Sequence, residues 1–171
     1  MKALFDYFLN LCLLRKGPQD VPFSRELLLL VWVVNLTVGW LLIGDATVHP
    51  FRALLESLSD SLLMLGVLWL LLQWRGKTPR FVQSATAALG SGALLGIIAL
   101  PLVRLVASGT TRSAQTDWAG MLLLAVVVWS VVVFGHILRY ALDVKLGEGV
   151  ALSFIYTVLS YSLLNALFLG G

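Results

Sequence analysis

Charged side chains that recur every four residues in an apolar chain are the first candidates for chemistry. Arg52, Glu56 and Asp60 fall on one face of a helix, opposite apolar residues. Carboxylates at the edge of a hydrocarbon layer are costly and often mark a route for ions or protons. The alternative is structural: Arg52 neutralises Glu56 one turn away, and the stripe faces water. Asp60 is expected to lie deepest in the membrane.

A second polar stripe runs along the last apolar segment of the chain. Tyr156 and Ser160 lie beside its four members, which are spaced by four: Ser153, Thr157, Tyr161 and Asn165. A polar helix face in a bilayer must turn toward protein or toward a water-filled cavity. Antiparallel packing brings the end of this stripe level with the charged one. The sequence therefore predicts a polar cluster that consists of Arg52, Glu56, Asp60, Tyr161 and Asn165.

No set of residues has the spacing of a catalytic or metal site. The segment Leu89-Gly90-Ser91-Gly92 invites comparison with the Gly-x-Ser-Gly motif of rhomboid intramembrane proteases, but it begins with Leu. Ser91 is also expected about ten residues, or ~15 Å, into its helix, whereas His136 lies within one turn of a helix end. They should therefore not form the hydrogen bond that activates a nucleophile. Cys12 is the only cysteine, and phosphate-loop, dinucleotide and zinc motifs are absent. We expect a non-enzymatic protein with no catalytic residue, cofactor or metal.

The composition determines the class of protein that carries these residues. Of the 171 residues, 59% are hydrophobic and 12% are charged, against about 25% charged in ordinary soluble domains. An all-α polytopic membrane bundle is expected, with one membrane domain over residues 1–171. The formal charge of +3 is explained by membrane orientation, so no nucleic-acid partner is expected. Five transmembrane helices are predicted at residues 27–43, 53–74, 81–103, 118–138 and 150–169.

Residues 1–15 are predicted to form an amphipathic interfacial helix that lies at the membrane surface. The segment 15–22 follows as a linker, because a glycine and two prolines break the helix there. Ser24 is the expected N-cap of the first span. The interfacial helix has an apolar side with Leu4, Tyr7, Phe8, Leu11 and Leu14, and a polar side with Lys2, Asp6 and Asn10.

The third predicted span contains a series of small residues at four-residue intervals: Ser84, Ala88, Gly92 and Gly96. On a helix they form a groove in which a neighbouring backbone can approach closely, so we expect the central seam of the bundle there. Asn35, in the first span, is expected to turn inward and to hydrogen-bond to another helix. Pro101 interrupts the helical hydrogen bonds and is expected to end the third helix, with a kink near Arg104.

The distribution of basic residues predicts the orientation. Nine of the twelve Lys and Arg residues precede the first span or lie in the second and fourth connections, while Arg52, Arg104 and Arg112 lie on the other side. The positive-inside rule then gives a cytoplasmic N-terminus and an outside C-terminus, in the cell inner (cytoplasmic) membrane. Membrane lipids are the expected surroundings.

The C-terminal part of the chain resembles the corresponding half of the Yip-type integral membrane proteins. The residues that carry this resemblance are Trp129, Ser130, Gly135, Leu142, Ala151, Tyr156 and the connection Lys145-Leu146-Gly147-Glu148-Gly149. The resemblance implies a compact five-helix bundle with a cytoplasmic N-terminus and a scaffold-like role, and it implies no site residues. The Asp-Leu-Tyr-Gly-Pro-like motif of the eukaryotic members is absent, so a partnership with small GTPases is not implied.

Three functions follow from these patterns. The first is a non-enzymatic integral membrane scaffold or accessory subunit that associates with itself or with other membrane proteins, because the groove is a packing device. The second is a small transporter or channel subunit with a polar route between the second and fifth spans, which requires a cavity open to one side. Five helices do not make two equal inverted repeats, which favours the first over the second. The third is an intramembrane enzyme that acts on lipid.

Overall fold

The structure is a computed structural model that describes residues 2–44, 49–108 and 114–168. These ranges contain no β-strand, and the predicted all-α class is confirmed. One 3-10 turn, Pro18–Asp20, precedes the second helix, and another, Thr78–Arg80, precedes the fourth. The helices are α1 (Lys2–Cys12), α2 (Arg25–Ile43), α3 (Pro50–Trp74), α4 (Phe81–Ser108), α5 (Ala114–Leu142) and α6 (Leu146–Phe168).

Helices α2 to α6 are each long and apolar enough to cross a bilayer, with mean hydropathies between 1.6 and 2.6. The chain is therefore a multi-pass membrane protein. The helices extend a few residues beyond the predicted spans, because helical backbone hydrogen bonding does not stop where apolar composition does. Ser24 caps α2 as expected, since its Oγ accepts a hydrogen bond from the Leu27 amide at 3.1 Å. Arg112 and Leu169 lie outside the described residues.

The prediction that the third span ends soon after Pro101 is wrong, because α4 continues to Ser108. The turn beyond the proline is tied to α2 by Arg104, whose guanidinium donates to the carbonyl oxygens of Leu41 and Gly44 at 2.6 Å each. Carbonyls at a helix C-terminus have no helical donor, so they are free to accept these bonds. This anchor explains why loss of one backbone hydrogen bond at Pro101 does not end the helix.

The five long helices form a ring in the order α2, α4, α5, α6, α3 and back to α2. One end of the ring, here called the basic end, carries Lys77, Arg80 and Asp143 in the connections before α4 and α6. At the other end, the far end, Arg52 donates to the carbonyl of Phe168 and so joins the start of α3 to the end of α6. A fully apolar layer fills the ring toward the basic end and consists of Leu68, Leu72, Ala85, Leu138, Ala141 and Leu142.

Helix α1 packs on the outside of this ring and not on the membrane surface alone. Its predicted apolar side is buried at Tyr7, Phe8 and Leu11. The Phe8 ring lies directly over Gly90 of α4, where a Cβ would be only 2.1 Å from Cε1. The apolar side of the predicted interfacial helix is thus covered by protein, because Gly90 leaves room for an aromatic ring, and its position at the membrane surface stays a prediction.

Hydrogen bonds also hold α1 and the linker after it against α5. The indole of Trp129 donates to the Cys12 carbonyl at 3.0 Å, and His136 Nε2 lies 3.0 Å from the Lys16 carbonyl oxygen. Both acceptors are at or after the C-terminal end of α1, where carbonyls lack helical donors. The N-terminal segment is thus an integral part of the bundle.

The series of small residues on α4 lies along the seam with α2. Ser84, Ala88 and Gly96 are buried. A Cβ at Gly96 would lie 2.6 Å from Val38 Cγ1 of α2. Gly92, the remaining residue of the series, is instead exposed and borders a cavity. The groove is therefore occupied within the chain, by α2.

A close helix crossing joins α5 and α6 near the basic end. A Cβ at Gly149 would lie 2.3 Å from the Gly135 carbonyl oxygen, and a Cβ at Gly135 would lie 2.6 Å from Val150 Cα. Only glycine permits backbones to approach this closely. The crossing sets the position of α6, which carries the second polar stripe.

Candidate polar cavity

A cavity lies inside the helix ring between the apolar layer and the far end. It has two adjoining lobes: the α6 lobe of about 320 Å³, between α3, α4, α5 and α6, and the α2 lobe of about 410 Å³, toward α2. Ile43, the last residue of α2, lines the α2 lobe, so that lobe reaches the far end. Both lobes, together called the central cavity, are lined by Asp60, Met64, Ala88, Gly92, Leu95, Ser130 and Leu164.

Asp60 is the polar centre of this cavity. It lies about ten residues, or ~15 Å, from the start of α3, and it is accessible from the cavity. Ser160 of α6 donates a hydrogen bond to its Oδ1 at 3.0 Å. Tyr156, one turn before Ser160, lines the same lobe. Within residues 2–44, 49–108 and 114–168, no Lys or Arg forms an ion pair with this carboxylate.

Glu56 also lines the central cavity, but its charge is neutralised. The Nε of Arg52 lies 2.9 Å from Oε1 of Glu56, one helical turn away. The same guanidinium bonds to the Phe168 carbonyl at the end of α6. The Arg52–Glu56 pair thus has the structural role that the sequence left open, while Asp60 has no cationic partner among the described residues.

Several hydroxyl groups in the wall donate their protons to backbone carbonyls. Ser91 donates to Ala88 at 3.1 Å, Ser130 to Val127 at 2.7 Å and Thr157 to Ser153 at 2.9 Å. A hydroxyl has one proton and two acceptor lone pairs, so each of these side chains keeps acceptor capacity. The cavity wall therefore offers mainly hydrogen-bond acceptors.

Ser153 is the exception in this wall. Its side chain is fully buried, and its Oγ has no hydrogen-bond partner among the described residues. It lies in the part of the α6 lobe nearer the basic end, seven residues before Ser160 on the same helix. An unpaired buried hydroxyl is destabilising by about 1–3 kcal/mol, so its position needs a reason outside the packing of the chain itself.

The α6 lobe also has an aromatic and aliphatic wall. The rings of Phe134 and Tyr156 pack with centroids 5.4 Å apart, and both residues line the lobe together with Leu95 and Val133. A small number of polar groups on an otherwise apolar wall is typical of binding sites for small organic molecules.

The structure brings together only part of the predicted polar cluster. Arg52, Glu56 and Asp60 share one face of α3, and Tyr161, although 70% exposed, lines the α6 lobe together with Asp60. Asn165 is half-buried and lines neither lobe. A four-residue spacing rotates by roughly 40° per step on a helix with 3.6 residues per turn. Ser153, Thr157 and Tyr161 therefore all line the α6 lobe, and the stripe leaves the cavity only at Asn165.

Ser160, which bonds to Asp60, belongs to a set of α6 residues with a different spacing that lines the same lobe. Ser153, Tyr156 and Ser160 are three and four residues apart, which keeps them on one helix face. The sequence singled out each of them, but it paired Asp60 with their neighbours. Ser130 was missed, although it is the lone hydroxyl in the run of valines and tryptophan from 126 to 133 and so had a signal of its own.

Other predicted residues form separate contacts. Asn35 turns inward as expected, and its Nδ2 donates to the Leu89 carbonyl at 3.1 Å. Ser91 and His136 bond to different backbone carbonyls, of Ala88 and Lys16. Groups of three or more His, Cys, Asp or Glu that would suit a metal ion do not occur in the described ranges.

The basic end holds a second group of charges, outside the membrane-spanning helices. Asp143 accepts hydrogen bonds from Lys77 and, at 3.1 Å, from Arg80. These two cations hold the pKa of the exposed Asp143 carboxyl below its usual range. The group ties the connection before α4 to the connection before α6.

The role of the central cavity has to be inferred from the residues that line it. Comparisons with protein-family models, with curated proteins and with solved structures find no match to the chain, so the resemblance to Yip-type membrane proteins stays a prediction.

Proposed function

We propose that the protein is a small transporter or channel subunit, with a polar route between α3 and α6. The single observation that carries this proposal is Asp60, a carboxylate without an ion pair in the described residues that faces a cavity inside the helix ring. Isolated ionisable residues within membrane segments are costly and usually mark pathways for ions or solutes. The proposed role is that of a non-enzymatic protein.

The scaffold hypothesis has less support than it had from sequence. Its main motivation was the groove from Ser84 to Gly96, which α2 of the same chain fills. A groove that is already filled offers no surface to a second protein. The transporter hypothesis required a cavity open to one side, and the α2 lobe extends to Ile43 at the far end.

The proposed orientation follows the positive-inside rule. The basic end, with Lys77 and Arg80, faces the cytoplasm, and the far end faces outside. The N-terminus is then cytoplasmic and the C-terminus outside, in the cell inner membrane. In this orientation Ile43, which lines the α2 lobe, lies toward the outside.

Flux into liposomes tests the proposal. Purified protein is reconstituted with an entrapped pH-sensitive dye, and a potassium diffusion potential drives protons inward. We expect flux above that of empty liposomes and its loss in Asp60→Asn, which keeps the shape of the side chain and removes its charge. Asp6→Asn is the matched control, because Asp6 is exposed on α1 and does not line the cavity.

The variants must be compared at equal folding. Melting temperatures of Asp60→Asn and Asp6→Asn in detergent are measured first, so that loss of flux is not loss of protein. Flux equal to that of empty liposomes, or flux that Asp60→Asn leaves unchanged, would overturn the proposal.

A further inference from the structure

We propose that the central cavity binds a monovalent organic ammonium ion, with the ammonium group at Asp60 and the apolar part in the α6 lobe. This inference rests on the proposed function and deepens it, because it names the chemical class that the site takes.

The charge of the cavity wall selects a cation. Glu56 is neutralised by Arg52 at 2.9 Å, whereas Asp60 receives only the Ser160 hydroxyl at 3.0 Å. When Asp60 is ionised, the wall of the described residues carries one negative charge without a cationic partner, and an ion of charge +1 restores neutrality in a region of low dielectric constant. Anions are excluded by the same charge.

The hydrogen-bonding pattern selects a donor. Ser91, Ser130 and Thr157 have committed their protons to backbone carbonyls, which leaves their lone pairs available. An ammonium group has donors and no acceptor, so it matches a wall of acceptors around a carboxylate.

Ser153 gives an independent indication that the α6 lobe takes a ligand. Its buried Oγ has no partner in the described part of the chain, and it lies about seven residues, or ~10 Å along α6, from Ser160. A ligand or an accompanying water that extends from Asp60 toward this hydroxyl would satisfy it. An unpaired buried hydroxyl at the bottom of a cavity is otherwise only destabilising.

The size and the wall of the lobe select an organic ion over a metal ion. Its volume of about 320 Å³ equals the liquid volume of roughly ten water molecules. A calcium ion takes six to eight oxygen ligands at about 2.3–2.6 Å, which one carboxylate across such a space does not supply. The apolar residues Leu95, Val133 and Leu164 and the Phe134–Tyr156 ring pair provide contacts for a hydrocarbon group, and the rings also favour a cation.

Equilibrium binding of n-butylammonium tests the inference without relying on transport. Full-length protein in lipid nanodiscs is titrated and binding is followed by ligand-observed saturation-transfer NMR, with n-butanol as the neutral probe of similar shape and with empty nanodiscs as the blank. For a ligand of this size we expect a Kd on the order of 1 mM. Butanol is expected to bind at least about tenfold more weakly, since it lacks the charge that pairs with Asp60.

Two variants locate the site. Asp60→Asn is expected to weaken butylammonium binding at least about tenfold and to leave butanol binding unchanged, while Asp6→Asn leaves both unchanged. Met64→Trp, which fills space shared by both lobes, is expected to weaken both probes. Because Met64→Trp keeps the carboxylate, it tests the cavity even where Asp60→Asn fails to fold.

Each outcome supports or overturns a separate statement. Equal affinity for butylammonium and butanol, or no effect of Asp60→Asn, overturns the ammonium site. If sodium ions at the same concentration displace butylammonium completely, the site does not prefer an organic ion, and that statement is overturned. Butylammonium binding without flux in liposomes supports the ammonium site and overturns the proposed function. Flux without butylammonium binding supports the proposed function and overturns the ammonium site.

Discussion

Alanine substitutions at Gly149 and Gly147 form a matched pair that tests the crossing of α5 and α6. A Cβ at Gly149 would lie 2.3 Å from the Gly135 carbonyl oxygen, whereas a Cβ at Gly147 meets no atom within 4 Å. Both glycines belong to the first four residues of α6, so alanine raises helix propensity at both, by up to ~0.8 kcal/mol. The difference in stability between Gly149→Ala and Gly147→Ala therefore reports the crossing alone.

The expected size of this difference follows from the distance. The two helices must part by about 1 Å to bring a Cβ at Gly149 into ordinary contact, which begins near 3.4 Å. A gap of 0.5–1 Å removes a quarter to a half of each dispersion contact of ~0.1–0.2 kcal/mol, and over the many atom pairs of a helix crossing the loss is about 1–2 kcal/mol. We expect Gly149→Ala to be less stable than Gly147→Ala by this amount.

Unfolding by increasing mole fraction of SDS in detergent micelles measures the difference, with tryptophan fluorescence as the signal. The wild-type protein contains six tryptophans, and neither substitution removes one. Equal stability of the two variants would contradict the close crossing of α5 and α6. It would also contradict the position of Ser153 and Ser160 in the cavity, because this crossing sets the rotation of α6.

Three further predictions concern the buried hydroxyl, the thiol and the charges at the basic end. Ser153→Ala is expected to stabilise the protein by about 1 kcal/mol in the same titration, because it removes a buried polar atom without a partner in the described residues; a clear loss of stability would contradict this. Burial raises the pKa of the Cys12 thiol to about 11, so maleimide labelling at pH 7.5 should be at least about tenfold slower in the folded protein than in SDS, and equal rates would contradict the packing of α1. Because the pKa of Asp143 is lowered in the folded protein, its ionised carboxylate contributes to stability. This contribution is fully present above about pH 4, the unfolded-state pKa, and is lost as the pH falls through the folded-state pKa. The stability difference between wild type and Asp143→Asn should therefore be constant near neutral pH and vanish in acid; a difference that persists in acid would show that Asp143 acts through something other than its charge.

The architecture was predictable because a long apolar segment in a bilayer satisfies its backbone hydrogen bonds by forming a helix. Local signals were also sufficient at helix starts, where Ser24 accepts the Leu27 amide as an N-cap should. The buried amide of Asn35 was predictable in kind, as an interhelical hydrogen bond, but its acceptor, the Leu89 carbonyl, was not. Sequence thus indicated which polar groups need a partner, and the packing of the helices determined the partner.

The partner of Asp60 was missed for a geometric reason. A four-residue spacing suggested Tyr161 and Asn165. Tyr161 does line the lobe of Asp60, but the drift of roughly 40° per step separates Asn165 from Ser153 by about 120°, which takes it out of the cavity. The side chain that bonds to Asp60 is Ser160. Which of two neighbouring helix faces turns inward depends on the α5–α6 crossing, which joins Gly135 to Gly149. The sequence contains these glycines, but their pairing is a tertiary contact between two helices.

The unequal ends of the ring favour a carrier over an open channel. The central cavity reaches Ile43 at the far end, but the apolar layer around Leu68, Leu72 and Leu138 fills the ring toward the basic end, and these three side chains are at most 1% exposed. An ion cannot cross such a layer without a change in helix packing, because no polar group replaces its hydration there. The charges that join the connections at the basic end are exposed at Asp143, and exposed ion pairs contribute little stability. Release of a solute toward the basic end would therefore require the side chains of the apolar layer to separate. The ion pairs of Asp143 would resist this movement less than the apolar layer does. Flux that saturates with solute concentration would distinguish such a carrier from a pore.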